Sequence, residues 1–178
     1  MKNTNLIFSL ALLGALTAAG SVQAAGKIYV GGKASIVDAD FPGFDPAINI
    51  GVYGGYNLLG KDSHFAADLK GGSLAVEGDV SLTVVDGDAN PGDWDMTSIA
   101  VYAAYRHPLT DNFYLKGKLG LVSYEIDTSP ASAFSDKETA LAIGIGAGWK
   151  VGPGRLEAEL TTYESDVMLL SVGFHMNF

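Results

Sequence analysis

The sequence predicts an all-β chain folded as an eight-stranded antiparallel up-and-down transmembrane β-barrel. Three observations point there. Apolar residues recur with period two in eight separate segments. Beyond the first two dozen residues no apolar run approaches the roughly 20 residues that a membrane helix takes. The chain also opens on a segment built for export.

That opening segment has a positive start at Lys2, an almost unbroken apolar stretch from Leu6 to Ala19 ending near Gly20, and small residues at Val22-Gln23-Ala24. These are the three parts of a secretory signal peptide. Cleavage is expected after Ala24, with Ala25 as the second choice, leaving residues 25–178 as one domain. The formal charge of −9 becomes one unit more negative, because Lys2 is the only charged side chain lost. Without a basic patch, nucleic acid is excluded as a partner. Cysteine is absent, so no disulfide can hold the fold.

The eight segments follow in order. Lys27 to Val37 sets Ile28, Val30, Ala34 and Ile36 against Lys33 and Ser35. Ala47 to Leu58 sets Ile48, Ile50, Val52 and Tyr56 against Asn49, Tyr53 and Asn57. Leu74 to Val85 sets Val76, Val80, Leu82 and Val84 against Glu77, Asp79, Ser81 and Thr83. Thr97 to Arg106 and Phe113 to Tyr124 oppose Ile99, Val101, Leu115, Leu119 and Leu121 to Ser98, Arg106, Lys116 and Lys118. Thr139 to Lys150 carries Leu141, Ile143, Ile145 and Trp149 on one face, with glycines and Lys150 on the other. Arg155 to Tyr163 alternates Arg155, Glu157 and Glu159 with Leu156, Ala158 and Leu160. Val167 to Phe178 alternates Leu170, Val172, Phe174, Met176 and Phe178 with Ser171, Gly173 and His175.

The connections alternate too. His107 to Asn112 and Val151 to Gly154 are tight and read as periplasmic turns. Asp38 to Pro46, Asp86 to Asp95 and Glu125 to Lys137 are longer and acidic, and read as extracellular loops. Two links fit this scheme less well: Leu59 to Ser73 is long for an inner turn, and Glu164-Ser165-Asp166 is short for an outer loop.

Which face points inward decides between a membrane barrel and a soluble one. The polar faces carry Lys33, Arg106, Lys116, Lys118, Lys150 and Arg155 together with Glu77, Asp79, Glu138, Glu157 and Glu159. These two sets can neutralise one another in a narrow lumen, while the apolar faces, almost free of charge, suit lipid. Phe113, Tyr105, Trp149 and Phe178 lie near strand ends, where an interfacial aromatic girdle belongs. The alternative is a secreted soluble sandwich or a lipocalin-like barrel with the apolar face as its core, which leaves the lysines and arginines on the glycine-rich faces without a reason.

The terminal stretch Ser171 to Phe178 alternates and stops on phenylalanine, with Val172, Phe174, Met176 and Phe178 on one face. It resembles the C-terminal signature that outer-membrane proteins present to the barrel-assembly machinery. With Val52-Tyr53-Gly54-Gly55-Tyr56-Asn57-Leu58 and Ala75-Val76-Glu77-Gly78, it resembles the outer-membrane β-barrel family of OmpA-like, OmpX-like and opacity-protein-like domains. The resemblance implies the outer membrane of a Gram-negative bacterium, with outer-membrane lipids and lipopolysaccharide as surroundings, and acids and bases buried in the lumen. The chain stops on its last predicted strand, unlike full-length OmpA-type proteins, which argues against a cell-wall tether.

Candidate chemistry is sparse, and no cofactor is implied. Asp86-Gly87-Asp88-Ala89-Asn90-Pro91 begins like a calcium loop, but Pro91 replaces the needed glycine and Thr97 stands where the bidentate glutamate belongs. A loose divalent-ion contact through Asp86, Asp88, Asp93 and Asp95, beside the phosphates of lipopolysaccharide, fits better. None of His64, His107 and His175 falls near the outer rim beside a nucleophile, so a Ser-His-acid enzyme acting on lipid A is the weakest reading. Eight strands leave an interior that side chains nearly fill, against an open pore. Phe41, Phe44, Trp94 and Phe134 read as exposed loop aromatics that could anchor a surface or host ligand. The expected function is therefore a non-enzymatic envelope or surface-interaction role, the alternatives being a narrow channel or a lipid-A-modifying enzyme.

Overall fold

The computed structural model describes residues 27–40, 42–59, 71–90, 92–129, 135–164 and 167–178. Its strands are β1 (Ile28–Ala39), β2 (Ala47–Leu59), β3 (Ser73–Val85), β4 (Gly87–Asp88), β5 (Asp93–Pro108), β6 (Phe113–Ser129), β7 (Ser135–Val151), β8 (Gly154–Tyr163) and β9 (Val167–Asn177). All but β4 form the wall. Each wall strand pairs antiparallel with its sequence neighbour, β3 passes directly to β5, and β1 pairs with β9 from Tyr29↔Asn177 to Ala39↔Val167. The β1–β9 pairing therefore closes the sheet as an eight-stranded up-and-down barrel with no seam between its first and last strands.

The eight predicted segments are the eight wall strands, and their alternation sets which side chains enter the lumen. Ile99, Ile145 and Val172 are more than half exposed on the outside, while Glu77, Arg106, Lys116 and Glu157 are buried inside. Because hydrophobic burial is the usual rule for a soluble fold, this inverted pattern is what a lipid-facing wall requires. Trp149 stands outward near the inner rim, with the ring of Phe113 edge-on at 5.4 Å.

Wall height differs from the expectation. The segments expected as outer loops at Asp86 to Asp95 and Glu125 to Lys137 are largely strand: β5 begins at Asp93, β6 runs on to Ser129, and β7 starts at Ser135. The register shows why, since Thr97↔Glu125, Asp95↔Asp127 and Glu125↔Lys137 continue the ladders without a break. A tall wall of β5, β6 and β7 thus stands beside a lower wall of β8 and β9. The 59–73 link shortens at both ends, because Leu59 and Ser73 belong to strands. Residues 60–70 of it, with His64, lie outside the described residues, as do the expected signal segment, Phe41 and Phe134.

Inward glycines make room for inward tyrosines. Gly55 lies opposite Tyr29 and Gly148 opposite Tyr114, and a Cβ on either glycine would meet the facing ring at 2.0–2.2 Å. Large rings can therefore lie across a narrow lumen only where the neighbouring strand has no side chain.

Candidate functional site

The inner half of the lumen is a cross-braced ion network. Its carboxylates, Glu77 and Asp79 on β3 and Glu157 and Glu159 on β8, hang from strands that are four steps apart around the barrel in either direction. Lys116, on β6 midway between them, reaches Glu77 at 2.8 Å, Glu157 at 3.0 Å and Glu159. Arg106 on β5 holds Glu77 through Nη2 at 3.0 Å and Glu157 through Nε at 3.0 Å, and donates from Nη1 to the Tyr29 hydroxyl at 3.2 Å. Lys118 pairs with Glu159 at 2.6 Å, and Lys33 on β1 pairs with Asp79. Backbone ladders join only adjacent strands, whereas these bridges tie opposite walls together. Each charge has a partner, as burial demands, since an unpaired ion in such surroundings is costly.

Tyrosines and a histidine, beyond the residues expected there from the sequence, complete the network. Tyr29 donates to Glu77 at 2.8 Å and Tyr114 donates to Glu157 at 2.6 Å. His175, fully buried, has Nδ1 3.1 Å from the Tyr53 hydroxyl and 3.7 Å from Glu157. The available signal was parity: each occupies the inward position of its strand. The space left among Lys33, Tyr53, Glu77, Asp79, Glu157, Glu159, Ser171 and Gly173 holds about one water.

Three residues expected in the network stand elsewhere. Glu138 is exposed at the outer rim, where it accepts a hydrogen bond from the Tyr124 hydroxyl at 2.9 Å. Lys150 is exposed at the inner rim, and Arg155, half-buried opposite it, lies over the Tyr114 ring at 5.3 Å. Both basic residues flank the tight β7–β8 turn, so they reach water instead of the carboxylates.

The outer half of the lumen is mostly apolar, in contrast to the charged inner half. Val37, Trp94, Met96, Val122, Ile126 and Leu169 pack there with Tyr102, Tyr124 and Tyr163, all buried. On the tall wall the outside changes in the opposite sense, from Ile99 and Leu121 to exposed Asp93, Asp95, Glu125 and Asp127. Going outward along β5 and β6, the barrel thus passes from apolar-out and charged-in to charged-out and apolar-in. The crossing of those two patterns marks the upper limit of the lipid-facing band.

Trp94 is the largest correction among the aromatics. Expected as an exposed anchor, it is 1% exposed, donates its indole N–H to the Asp45 carbonyl at 2.8 Å and lies 5.6 Å from the Phe44 ring. Asp45 N–H also donates to Asp88 O at 2.8 Å, and Asn90 N–H to Gly43 O at 3.2 Å, so the first two outer links are zipped together over the lumen. Gly87 fits beneath the indole, with no room there for a Cβ.

The acids of the expected divalent contact are not brought into one site. Asp88 and Asp93 are opposite in the β4–β5 ladder, while Asp95 faces Asp127 across β5–β6. Among the described residues no group of three carboxylates or imidazoles could hold a metal ion. Partial burial, then the charges of Asp127, Asp86 and Glu125, raise the Asp95 pKa above its ordinary value. His107 sits at the inner end of β5, its Nδ1 3.2 Å from the Tyr105 hydroxyl. On the last strand, Val172, Phe174 and Met176 face outward and Phe178 follows its end, half-buried.

The sequence matches the model of the outer membrane protein beta-barrel domain over residues 8–162. The chain belongs to that family. It is an outer-membrane β-barrel protein. No curated protein matches it in sequence. Among solved structures it is similar to Ail, the attachment invasion locus protein of Yersinia pestis, at 18% identity and TM-score 0.54, covering 85% of this chain and 97% of Ail. Neisserial surface protein A is similar at 19% identity and TM-score 0.54, with 85% and 97% covered. A de novo designed transmembrane barrel is similar at 11% identity and TM-score 0.52, with 88% and 98% covered. At these identities the likeness is one of fold. Ail has also been solved with the heparin analogue sucrose octasulfate.

Proposed function

We propose that this protein is a sealed, non-enzymatic outer-membrane barrel that contributes to envelope integrity and presents an acidic outer crown to partners. The observation that carries this reading is the double closure of the lumen. A neutral set of ion pairs, four bases against four carboxylates, fills the inner half, and an apolar plug under Trp94 fills the outer half. Solute passage would have to break both, and separating buried charges costs several kcal/mol per ion. Function then falls to the outside surface and to the mechanical role of a braced wall.

The crown also bears on the kind of partner. Asp93, Asp95, Glu125 and Asp127 stand outward and exposed above the lipid-facing band. A polyanion such as the heparin analogue bound to Ail would be repelled by this surface, so that ligand class does not carry over, whereas cationic partners are attracted. The apolar wall takes outer-membrane lipid and the acyl chains of lipopolysaccharide. The outward row of β9 is what the barrel-assembly machinery would receive during biogenesis. Two measurements test the reading. Purified protein in planar bilayers is expected to give no stable conductance steps, and lipid A mass spectra are expected to be the same with and without expression. Reproducible unitary currents would replace the reading by a channel, and a lost acyl chain on lipid A would replace it by an enzyme.

A further inference from the structure

We propose that the open upper edge of β7 docks an extended, basic segment of a partner protein by strand addition. The inference rests on the surface-interaction reading above and names the place and the chemistry of that interaction. β7 pairs with β6 from Ser135↔Asp127 onward, but with β8 only from Ala142↔Tyr163 onward. Between these points one side of β7 has no strand beside it among the described residues. Six residues of strand, 135–140, roughly 20 Å at about 3.3 Å each, stand free above the low β8–β9 hairpin.

The backbone of that edge faces the gap with alternate residues. Glu164 N–H donates to the Leu141 carbonyl on the β8 side, whereas Lys150 N–H donates to Asn112 O on the β6 side. In an antiparallel strand a residue turns both its amide and its carbonyl to the same side. With no register shift along β7, the odd-numbered Lys137 and Thr139 direct N–H and C=O into the gap, while Glu138 and Ala140 bond to β6. Natural edges are blunted by charged side chains, a bulge or a proline. This one carries Lys137 and Glu138 but neither a bulge nor a proline between 135 and 141, so its ladder of donors and acceptors is unbroken. An edge with regularly spaced donors and acceptors is the surface that an added strand recognises.

Charge selects the occupant. Exposed carboxylates flank the gap at Glu138 on β7 and Glu164 at the end of β8, with Glu125 and Asp127 one strand away on β6, and Lys137, the lone described base there, is already opposite Glu125. A segment with basic residues at alternate positions would set one of them opposite Glu138 while its backbone pairs with Lys137 and Thr139. A second copy of this chain would bring its own acids to the same place and be repelled.

The test uses the full mature chain folded in lipid nanodiscs. Three fluorescein-labelled octapeptides serve as probes: alternating Lys and Thr, the same with Glu for Lys, and the Lys peptide N-methylated at alternate backbone nitrogens. The Lys peptide is expected to bind saturably at low salt, with the other two at least tenfold weaker. Thr139→Pro removes one edge donor and no β6 bond, so the barrel should keep its heat-dependent gel shift while binding falls at least tenfold. Thr139→Ser should bind like the parent. If N-methylation and Thr139→Pro leave affinity unchanged, the crown attracts cations without strand addition and the proposal fails. No binding by the Lys peptide, or an edge-dependent dimer of the protein itself, overturns it equally. Because conductance and lipid A are read separately, these failures leave the sealed-barrel reading standing or falling on its own.

Discussion

The two halves of the lumen solve the same packing problem with opposite chemistry. In the inner half the wall is surrounded by lipid, so the outward faces are apolar and the polar side chains have only one another. There Lys116 and Arg106 bind carboxylates on opposite strands and brace the barrel across its width. In the outer half the tall wall is surrounded by water. Its outward faces are charged, and Val122, Ile126, Met96 and Trp94 fill the inside as in a soluble protein. One continuous ladder thus serves two solvents because the polarity of its faces exchanges at the boundary.

Removing one member from each half separates their contributions. Lys116→Met leaves Glu77, Glu157 and Glu159 without their common cation. It is expected to cost about 3–5 kcal/mol in urea unfolding from nanodiscs. Adding Glu77→Gln to Lys116→Met, which leaves Lys118 on Glu159 and Arg106 on Glu157, should recover part of the loss, and no recovery would mean that the lysine acts through packing alone. Trp94→Ala is expected to cost about 3 kcal/mol, because it empties the plug and frees the Asp45 carbonyl. Its cost should be insensitive to Lys116→Met, since the two sites share no partner, and strong coupling would contradict two independent halves.

The smallest effect lies on the crown. Burial, then Asp127, Asp86 and Glu125, raise the Asp95 pKa. A carboxyl whose folded pKa lies above its unfolded value favours the fold at low pH, and that contribution is lost as pH rises through the folded value. At neutral pH the ionised group therefore costs stability, and Asp95→Asn should be slightly more stable than the parent. The gain should vanish below about pH 4, where the carboxyl is protonated in both states. A gain that persists at low pH would mean that repulsion is not its cause.

Much of this architecture was legible in the sequence, because a period of two is a strong signal wherever the two faces differ in polarity. Glu77 alternating with Val76 and Gly78, or Lys116 with Leu115 and Gly117, places a charge inside and lipid outside without further information. The outer half was harder to read. In Val167-Met168-Leu169-Leu170 both faces are apolar, and in Glu125-Ile126-Asp127 the polarity is reversed, so a rule of polar-inside misreads each. The acids there suggested loops, although the ladder runs on through them. Trp94 looked exposed because its neighbours Asp93 and Asp95 are charged, yet strand parity turns the indole inward. Lys150 and Glu138 had the right parity but the wrong height, and height follows from register, which no single segment reveals.

Site-directed spin labelling reads the exchange of faces along β5 directly. The chain has no cysteine, so single-cysteine variants at Asp93, Asp95, Thr97, Ile99 and Val101 each carry one label. These positions share the outward face of one strand. Labels at 99 and 101 are expected to collide with lipid-dissolved oxygen and to be shielded from a water-soluble nickel chelate, while labels at 93 and 95 show the reverse and 97 lies between. Equal accessibility at 95 and 99 would place both in one solvent and contradict the account.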